Sequence, residues 1–409
     1  MRWPTVVSKG SDPALNSGAG QQKLRIIFCT LGYAPGPGGG AEQQARLQAE
    51  ELVRRGHWVT VVCPSSPGVG SGEHNGVRVV RLPWPHRRWY LREVTYLRWY
   101  LREVTYLPVL AAFLAVNARK FDLCHVHLAS RQADVAVLAA RPLGCPVYVK
   151  VAGGGRGREI SPTRTVKMLT RQCGLRNAGM VQAISEPIAR ELCGIGVDDS
   201  KIVRIPNGLA TTRWSQATPE KRSAARRSLD LPEDAVIVLF AGRFARQKGL
   251  PDLLDAWAAT PDLHRAKLVL VGSPAADDPT GPIQESDHVI VRDWTEEIRQ
   301  YYWAADILVL PSHAEGMSNT LLEAMCSGLA VVATTVGAAT EMIQPEIDGF
   351  LVEPGDKSGL AKVLTRLIED ADLRQRVGAA AAATVRSRFA IEGVVDQIER
   401  RYQELIAKS

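Results

Sequence analysis

No window of the 409-residue chain approaches about 18 uninterrupted apolar residues, so a membrane-spanning helix is not expected. The opening MRWPTVVSKGSDPALNSGAGQQ lacks the apolar centre of a signal peptide, and residues 1–22 read as a loose polar leader. The seven cysteines (Cys29, Cys63, Cys124, Cys145, Cys173, Cys193 and Cys326) are odd in number and scattered, and none has metal-ligand spacing. They read as reduced, buried thiols of a cytosolic protein, not as a disulfide framework. No Gly-Lys-Ser/Thr follows the glycines of LGYAPGPGGGAEQQA, which excludes a P-loop; the G-x-G-x-x-G register is also missing, which argues against a nicotinamide cofactor. The chain has one D-x-D string, Asp370-Ala-Asp372, in a polar stretch between C-terminal helices, so no metal site is expected there. No lysine stands in a context that suggests pyridoxal phosphate.

What is present is the make-up of a globular protein, 45% hydrophobic and 23% charged. The formal net charge of +7 favours anionic partners such as phosphates or anionic lipids; nothing points to nucleic acid. From Lys23 onward, short apolar runs alternate with helix-forming segments. KLRIIFCT, WVTVVCP, VRVVRLP, DLCHVHL, PVYVKVAG, GMVQAIS and KIVRIP are continuous apolar stretches bounded by turn residues. Such runs suit parallel strands covered on both faces. The pattern restarts at AVIVLFAG and continues through KLVLVG, HVIVRD, ADILVLPS and LAVVATT. The expected fold is α/β, two Rossmann-like doubly wound domains facing across a cleft, with ligands at the carboxyl ends of the strands. The expected division is a leader at 1–22, a first domain at 23–205, a linker at 206–230, a second domain at 231–385, and a C-terminal helix at 386–409 packing back on the first domain.

Three stretches carry chemistry. In LPSHAEGMSNTLLEAMCSGLAVVATTVGAATEMI, Glu315 lies in a loop after a strand and Glu323 on the following helix. Gly316 permits close backbone approach, and the amides of Met317, Ser318 and Asn319 open a helix whose dipole attracts an anion. The plainer reading makes Ser318 or Asn319 an ordinary cap and both glutamates solvated charges. In FAGRFARQKGLPDLLDAW, Arg243 and Lys248 follow the first strand of the second half, where a guanidinium fork and an ammonium together can neutralise a diphosphate. Gly38, Gly39 and Gly40, between the first strand and a helix start, form a loop compatible with phosphate.

At these residues the chain resembles the retaining GT-B glycosyltransferases of family 4, over nearly everything from Lys23 onward. The resemblance is carried by E-x7-E (Glu315, Glu323), the Arg243–Lys248 pair, the glycine-rich loop and IPNG at 205–208. It implies that Glu323 holds the nucleotide ribose and Glu315 the donor-sugar hydroxyls. It further implies that Arg243 and Lys248 bind the diphosphate, and that residues 316–319, with Leu322, complete the donor site. A histidine after a middle strand of the first domain lies near the sugar in the family; DLCHVHLAS offers His125 and His127, on one face by strand alternation, and His127 at the strand end is the choice. The expected catalytic set is His127, Arg243, Lys248 and Glu315, and the expected donor-binding set adds Gly39 and Gly40. Gly38, Arg156 and Arg158 fall on the acceptor side, where VKVAGGGRGREI either binds an anionic acceptor or forms a mobile loop. Met317-Ser318-Asn319 replaces the commoner Phe-Gly/Pro types and leaves the donor sugar open.

The implied reaction moves a sugar from a nucleotide-diphosphate sugar, UDP-sugar favoured, to an acceptor hydroxyl with retention, without metal or other cofactor. The acceptor is a carbohydrate, a lipid-linked glycan or a small polyol. The rivals are a GT-B epimerase or phosphorylase, the former opposed by the E-x7-E string, and a non-catalytic two-domain sugar-binding protein. One feature stands outside this scheme: RWYLREVTYL occurs twice, at 88–97 and 98–107. On a helical wheel Tyr90, Val94, Leu97, Leu101 and Val104 share a stripe. Arg88, Arg92, Trp99, Arg102 and Tyr106 fall opposite, and Pro108 stops or kinks the helix. The repeat is either a tolerated duplication or an arginine–tryptophan surface for peripheral contact with an anionic membrane.

Overall fold

The computed structural model describes residues 22–35, 39–65, 69–83, 95–153, 174–261, 265–275 and 283–409, with backbone alone for 95–104. They fall into two compact units: Met1–Ile184, Ile188–Ile205 and Val395–Ser409 form the first, and Ser185–Pro187 and Pro206–Val394 the second.

The first unit is built on an eight-stranded sheet. Its strands are β1 (Arg25–Cys29), β2 (Trp58–Pro64), β3 (Gly72–His74), β4 (Val77–Leu82), β5 (Leu123–His127), β6 (Val147–Val151), β7 (Met180–Ala183) and β8 (Ile202–Arg204). Their order is β3-β4-β2-β1-β5-β6-β7-β8, and only β3 runs antiparallel to its neighbour. The central strands are buried along nearly their whole length, which explains their largely apolar composition; the buried His125, His127 and Lys150 are the polar exceptions. Helices α1 (Gly40–Arg54), α2 (Thr95–Asn117), α3 (Arg131–Ala140) and α4 (Glu186–Gly194) connect them.

In the decapeptide region one of the two alternatives for Pro108, the stop, is removed, and the placing of Tyr106 is corrected. The helix does not stop at Pro108 but runs through it to Asn117. Proline in a helix interior costs about 3 kcal/mol. Tyr106, Leu110, Phe113 and Leu114 are all buried, and burial of each such side chain contributes about 1.5–3 kcal/mol, so packing wins. Tyr106, placed on the outer face by the wheel, is only 2% exposed. Residues 88–94 lie outside the described residues.

The second unit holds a six-stranded, wholly parallel sheet of β9 (Val236–Ala241), β10 (Ala266–Gly272), β11 (Val289–Asp293), β12 (Ile307–Leu310), β13 (Ala330–Thr334) and β14 (Phe350–Val352). The order is β11-β10-β9-β12-β13-β14. The chain leaves β9 toward one side and later returns to β12 on the other, so these adjacent strands mark the switch point, where loops part and a ligand fits. The loops carrying Arg243 and Lys248 (after β9) and Glu315 (after β12) are thereby neighbours. Its helices are α5 (Pro219–Ser228), α6 (Leu250–Ala258), α7 (Ile298–Ala304), α8 (Asn319–Cys326), α9 (Lys357–Glu369) and α10 (Ala371–Arg388), followed by α11 (Ile391–Ala407). Val238, Phe240, Leu253, Trp257, Leu268 and Leu364 are among the residues that fill its core.

The stretch 206–230 belongs to the second unit and contains α5. Arg226 on that helix is 1% exposed, and its guanidinium donates to the carbonyls of Ala304, Pro232, Glu233 and Ala235 and to Asp306. Residues 395–409 complete the first unit. There Glu399 accepts from His57 Nε2 at 2.5 Å and from Arg55 at 2.6 Å, while the Leu24 amide donates to His57 Nδ1 at 3.0 Å. Because Nδ1 accepts, Nε2 carries the proton toward Glu399. Cys29, Cys63, Cys124, Cys145 and Cys326 are buried free thiols; Cys193 is exposed, contrary to the expectation of burial, because it sits on the outer side of α4. Among the described residues no helix is long and apolar enough to cross a membrane, and no group of three His, Cys, Asp or Glu could hold a metal. Asp370 caps α10, accepting from the Leu373 amide at 2.8 Å.

Candidate active site

In the second unit two loops at the switch point are stitched residue by residue. The His313 amide donates to Gln247 O at 2.8 Å, and the Gln247 side chain returns a bond to Ala314 O at 2.8 Å. One residue on, Lys248 Nζ meets Glu315 Oε1 at 2.6 Å. Gly249 then takes φ +69°, and a Cβ there would lie 1.8 Å from Pro311 O, so no other residue fits without moving the loop. The same Glu315 oxygen accepts from Ser312 Oγ at 2.8 Å, and Thr334 Oγ1 holds the Ser312 carbonyl at 2.5 Å. Ala338 donates its amide to Gly316 O at 2.8 Å, and Gly337 lies so close that a Cβ would come within 2.6 Å of Glu315 O. Glu315 and Lys248 are thus fixed before any ligand arrives. Arg243, five residues before Lys248, is exposed, and a hollow of about 550 Å³, lined by Arg246, Gln247, Pro251, Asp252 and His313, opens next to the Lys248 turn.

Helix α8 begins where this loop ends. Ser318 is its N-cap, the hydroxyl accepting from the Leu321 amide at 3.3 Å. Met317 is buried, its sulfur accepting from the Asn207 amide at 3.1 Å; the Asn207 side chain donates to Met317 O at 3.4 Å and to Asn319 Oδ1 at 3.3 Å. The IPNG stretch therefore supports the loop from behind. Leu322 is fully buried in the core, and its amide donates to Ser318 O at 3.2 Å. Glu323, one turn into α8, is 7% exposed and accepts from the Tyr302 hydroxyl at 3.0 Å. Burial, then the charge and hydrogen bond of Glu323, push the Tyr302 phenol well above its ordinary value, so it is a neutral donor. Ser312 and Tyr302 escaped the sequence reading; a serine closing a buried strand was the signal for the first, and the second has none.

In the first unit His125 and His127 stack at 4.2 Å on one face of β5, 0% and 2% exposed. Phe28 packs against both rings, Tyr402 hydroxyl meets His125 Nδ1 at 2.5 Å, and buried Lys150 stands opposite His127 in register. Burial holds both imidazoles well below their ordinary value; Lys150 adds to this for His125, and His125 and Lys150 for His127. Both rings are neutral at pH 7. His127 Nε2 is buried with no hydrogen-bond partner among the described residues. Gly39 caps α1, and its amide donates to Glu42 at 2.9 Å; Gly40 is the first residue of that helix. Gly38, Arg156 and Arg158 lie outside the described residues.

Two doubly wound sheets in one chain, the second with an acid–base cluster at its switch point, define the GT-B class. Residues 39–208 match the glycosyl transferase 4-like domain and residues 235–370 match the glycosyl transferases group 1 model, together more than half of the chain. The protein belongs to this family of glycosyltransferases and is an enzyme, a transferase. An uncharacterised glycosyltransferase of Methanocaldococcus jannaschii is 24% identical over 392 residues, covering 93% of this chain and 98% of the relative. The D-inositol 3-phosphate glycosyltransferase of Streptomyces scabiei is 29% identical over 302 residues, covering 68% and 67%. The crystal structure of Anabaena HepE in complex with UDP-glucose superposes with a TM-score of 0.73 at 21% identity, covering 93% of this chain and all of that one.

Proposed function

We propose that the protein is a retaining glycosyltransferase that moves a sugar from a nucleotide-diphosphate sugar, UDP-sugar favoured, to an acceptor hydroxyl in polysaccharide, lipid-linked glycan or glycoconjugate synthesis. The observation that carries this reading is the stitched loop pair at the β9–β12 switch point, with Lys248 on Glu315 and Glu323 one helical turn beyond. On this reading Lys248 and Arg243 stabilise the charge that develops on the departing diphosphate, reinforced by the amino end of α8. Glu315, held by Ser312, accepts donor-sugar hydroxyls, and Glu323 accepts those of the ribose. The two cations do the neutralising that a divalent metal does elsewhere, so no cofactor is required. His127, kept neutral by burial, is the group assigned to the sugar in the first unit. HepE binds UDP-glucose, which supports the uridine donor, and the relative named for D-inositol 3-phosphate supports a small polyol among the acceptors. The reading places the enzyme in the cytoplasm, with peripheral contact to anionic lipid; co-sedimentation with anionic but not neutral vesicles, weakened by salt, is the expected result, and none at low salt overturns that contact.

The test is incubation with UDP-, GDP- and ADP-sugars, with and without EDTA, reading nucleoside diphosphate release and, by NMR, the anomeric configuration of the product. Release that persists in EDTA with retained configuration is expected. Inversion, or loss of turnover in EDTA restored by a divalent ion, overturns the mechanism; no release with any donor overturns the function.

A further inference from the structure

Glu323 is 7% exposed, and its carboxylate accepts a hydrogen bond from a side chain 21 residues earlier. Removing a carboxylate from water favours its neutral form, and a hydrogen bond donated to the ionised form opposes that. Tyr302 supplies such a bond from α7 at 3.0 Å to Oε2. The tyrosine is itself fixed. It is 2% exposed, and Trp214 packs edge-on against its ring at 5.5 Å. The backbone of Trp214 is held in turn: its carbonyl accepts from the thiol of Cys326, three residues after Glu323, at 2.8 Å. From the Glu323 side, Ser327 Oγ donates to the Glu323 carbonyl at 2.8 Å and ties down the end of α8. A carboxylate whose rotation is fixed at one oxygen presents its acceptor lone pairs in one direction only.

We propose that Tyr302 is the positioning residue for sugar recognition in the nucleotide: its hydroxyl, bonded to Oε2, fixes the plane in which the Glu323 carboxylate accepts hydrogen bonds from the ribose hydroxyls. The proposal rests on the reading of Glu323 as the ribose-binding group. Its consequence is a selectivity that Tyr302 controls without touching the ligand. Tyr302→Phe keeps the ring and its packing and removes only the hydroxyl, so it lowers affinity for ribonucleotides and leaves deoxyribonucleotides almost untouched.

The experiment measures, by calorimetry, the binding of UDP, ADP and GDP and of their 2′-deoxy and 3′-deoxy forms to wild type, Tyr302→Phe, Glu323→Gln and the double variant, with melting temperatures recorded alongside. Wild type is expected to prefer the ribonucleotide by roughly 10- to 100-fold, the range of a hydrogen bond to a charged group. Tyr302→Phe is expected to lose roughly 10-fold on the ribonucleotide and less than about twofold on the deoxy forms, and the double variant to bind no more weakly than Glu323→Gln. If Tyr302→Phe weakens ribo and deoxy forms equally, or if its effect persists undiminished in the Glu323→Gln background, Tyr302 merely packs and the proposal falls. If Glu323→Gln keeps the full preference for ribonucleotides, or if no nucleotide binds wild type, the reading of Glu323 fails and takes the proposal with it.

Discussion

At the scale of single residues, the second unit spends its charges in pairs. Lys248 is neutralised by Glu315 at 2.6 Å, while Arg243, five residues earlier, is exposed. A diphosphate entering there exchanges one anionic partner of Lys248 for another, which costs less than desolvating a lone ammonium. Arg243→Ala and Lys248→Ala are each expected to lower turnover by roughly 10²-fold or more, the scale of a lost transition-state donor. Steady-state kinetics with the best donor checks this, and unchanged kcat in both variants contradicts the assignment. Some of this was legible and some was not. The types and order of Arg243, Lys248 and Glu315 stood out in the sequence because they lie in loops that follow apolar strands, and Glu323 because it lies eight residues after Glu315 on the next helix. The bonds from Ser312 to Glu315 and from Tyr302 to Glu323 did not, because a hydroxyl is chemically silent until folding gives it a partner. Arg226, in the stretch expected to be a linker, is equally silent in the sequence: it is buried because four carbonyls and Asp306 accept its hydrogen bonds.

At the scale of elements, the strands were the readable part, since a strand buried on both faces has no choice but to be apolar throughout. The helix through Pro108 was the unreadable part, because local propensity predicts a stop and only the buried face formed by Leu110, Phe113 and Leu114 overrides it. Helix α11 makes a sharper prediction. Burial alone would raise the Glu399 carboxyl, but the hydrogen bonds from His57 and Arg55 outweigh it and hold the group below its ordinary value. A carboxyl depressed in the folded state contributes stability above its unfolded value and loses it as pH falls through the folded one. Glu399→Gln is therefore expected to destabilise the protein by about 1–3 kcal/mol at pH 7, with the difference from wild type shrinking as the pH is lowered into the acid range. Urea unfolding at a series of pH values reads this; a difference that grows on acidification contradicts it.

For the whole molecule, ligand linkage reports on the second unit, which contains every proposed donor group except His127 and the Gly39–Gly40 loop. A nucleoside diphosphate at about 100 times its Kd adds about 2.7 kcal/mol to that unit, a shift of roughly 5–10 °C in its melting temperature at this chain length. A scan with UDP, ADP and GDP that shows no rise above that given by inorganic phosphate contradicts the donor site. The division of the chain has a further consequence, in time. Residues 25–204 supply all eight strands of the first sheet, but Glu399 and Tyr402, which close over His57 and His125, are encoded about 200 residues after β8. At about 5–20 residues per second, a ribosome takes about 10–40 s to reach them. The unit that is synthesised first is therefore the last to be completed. That interval is the time in which the second unit is made, and through it the first waits as a sheet with His57 and His125 uncovered.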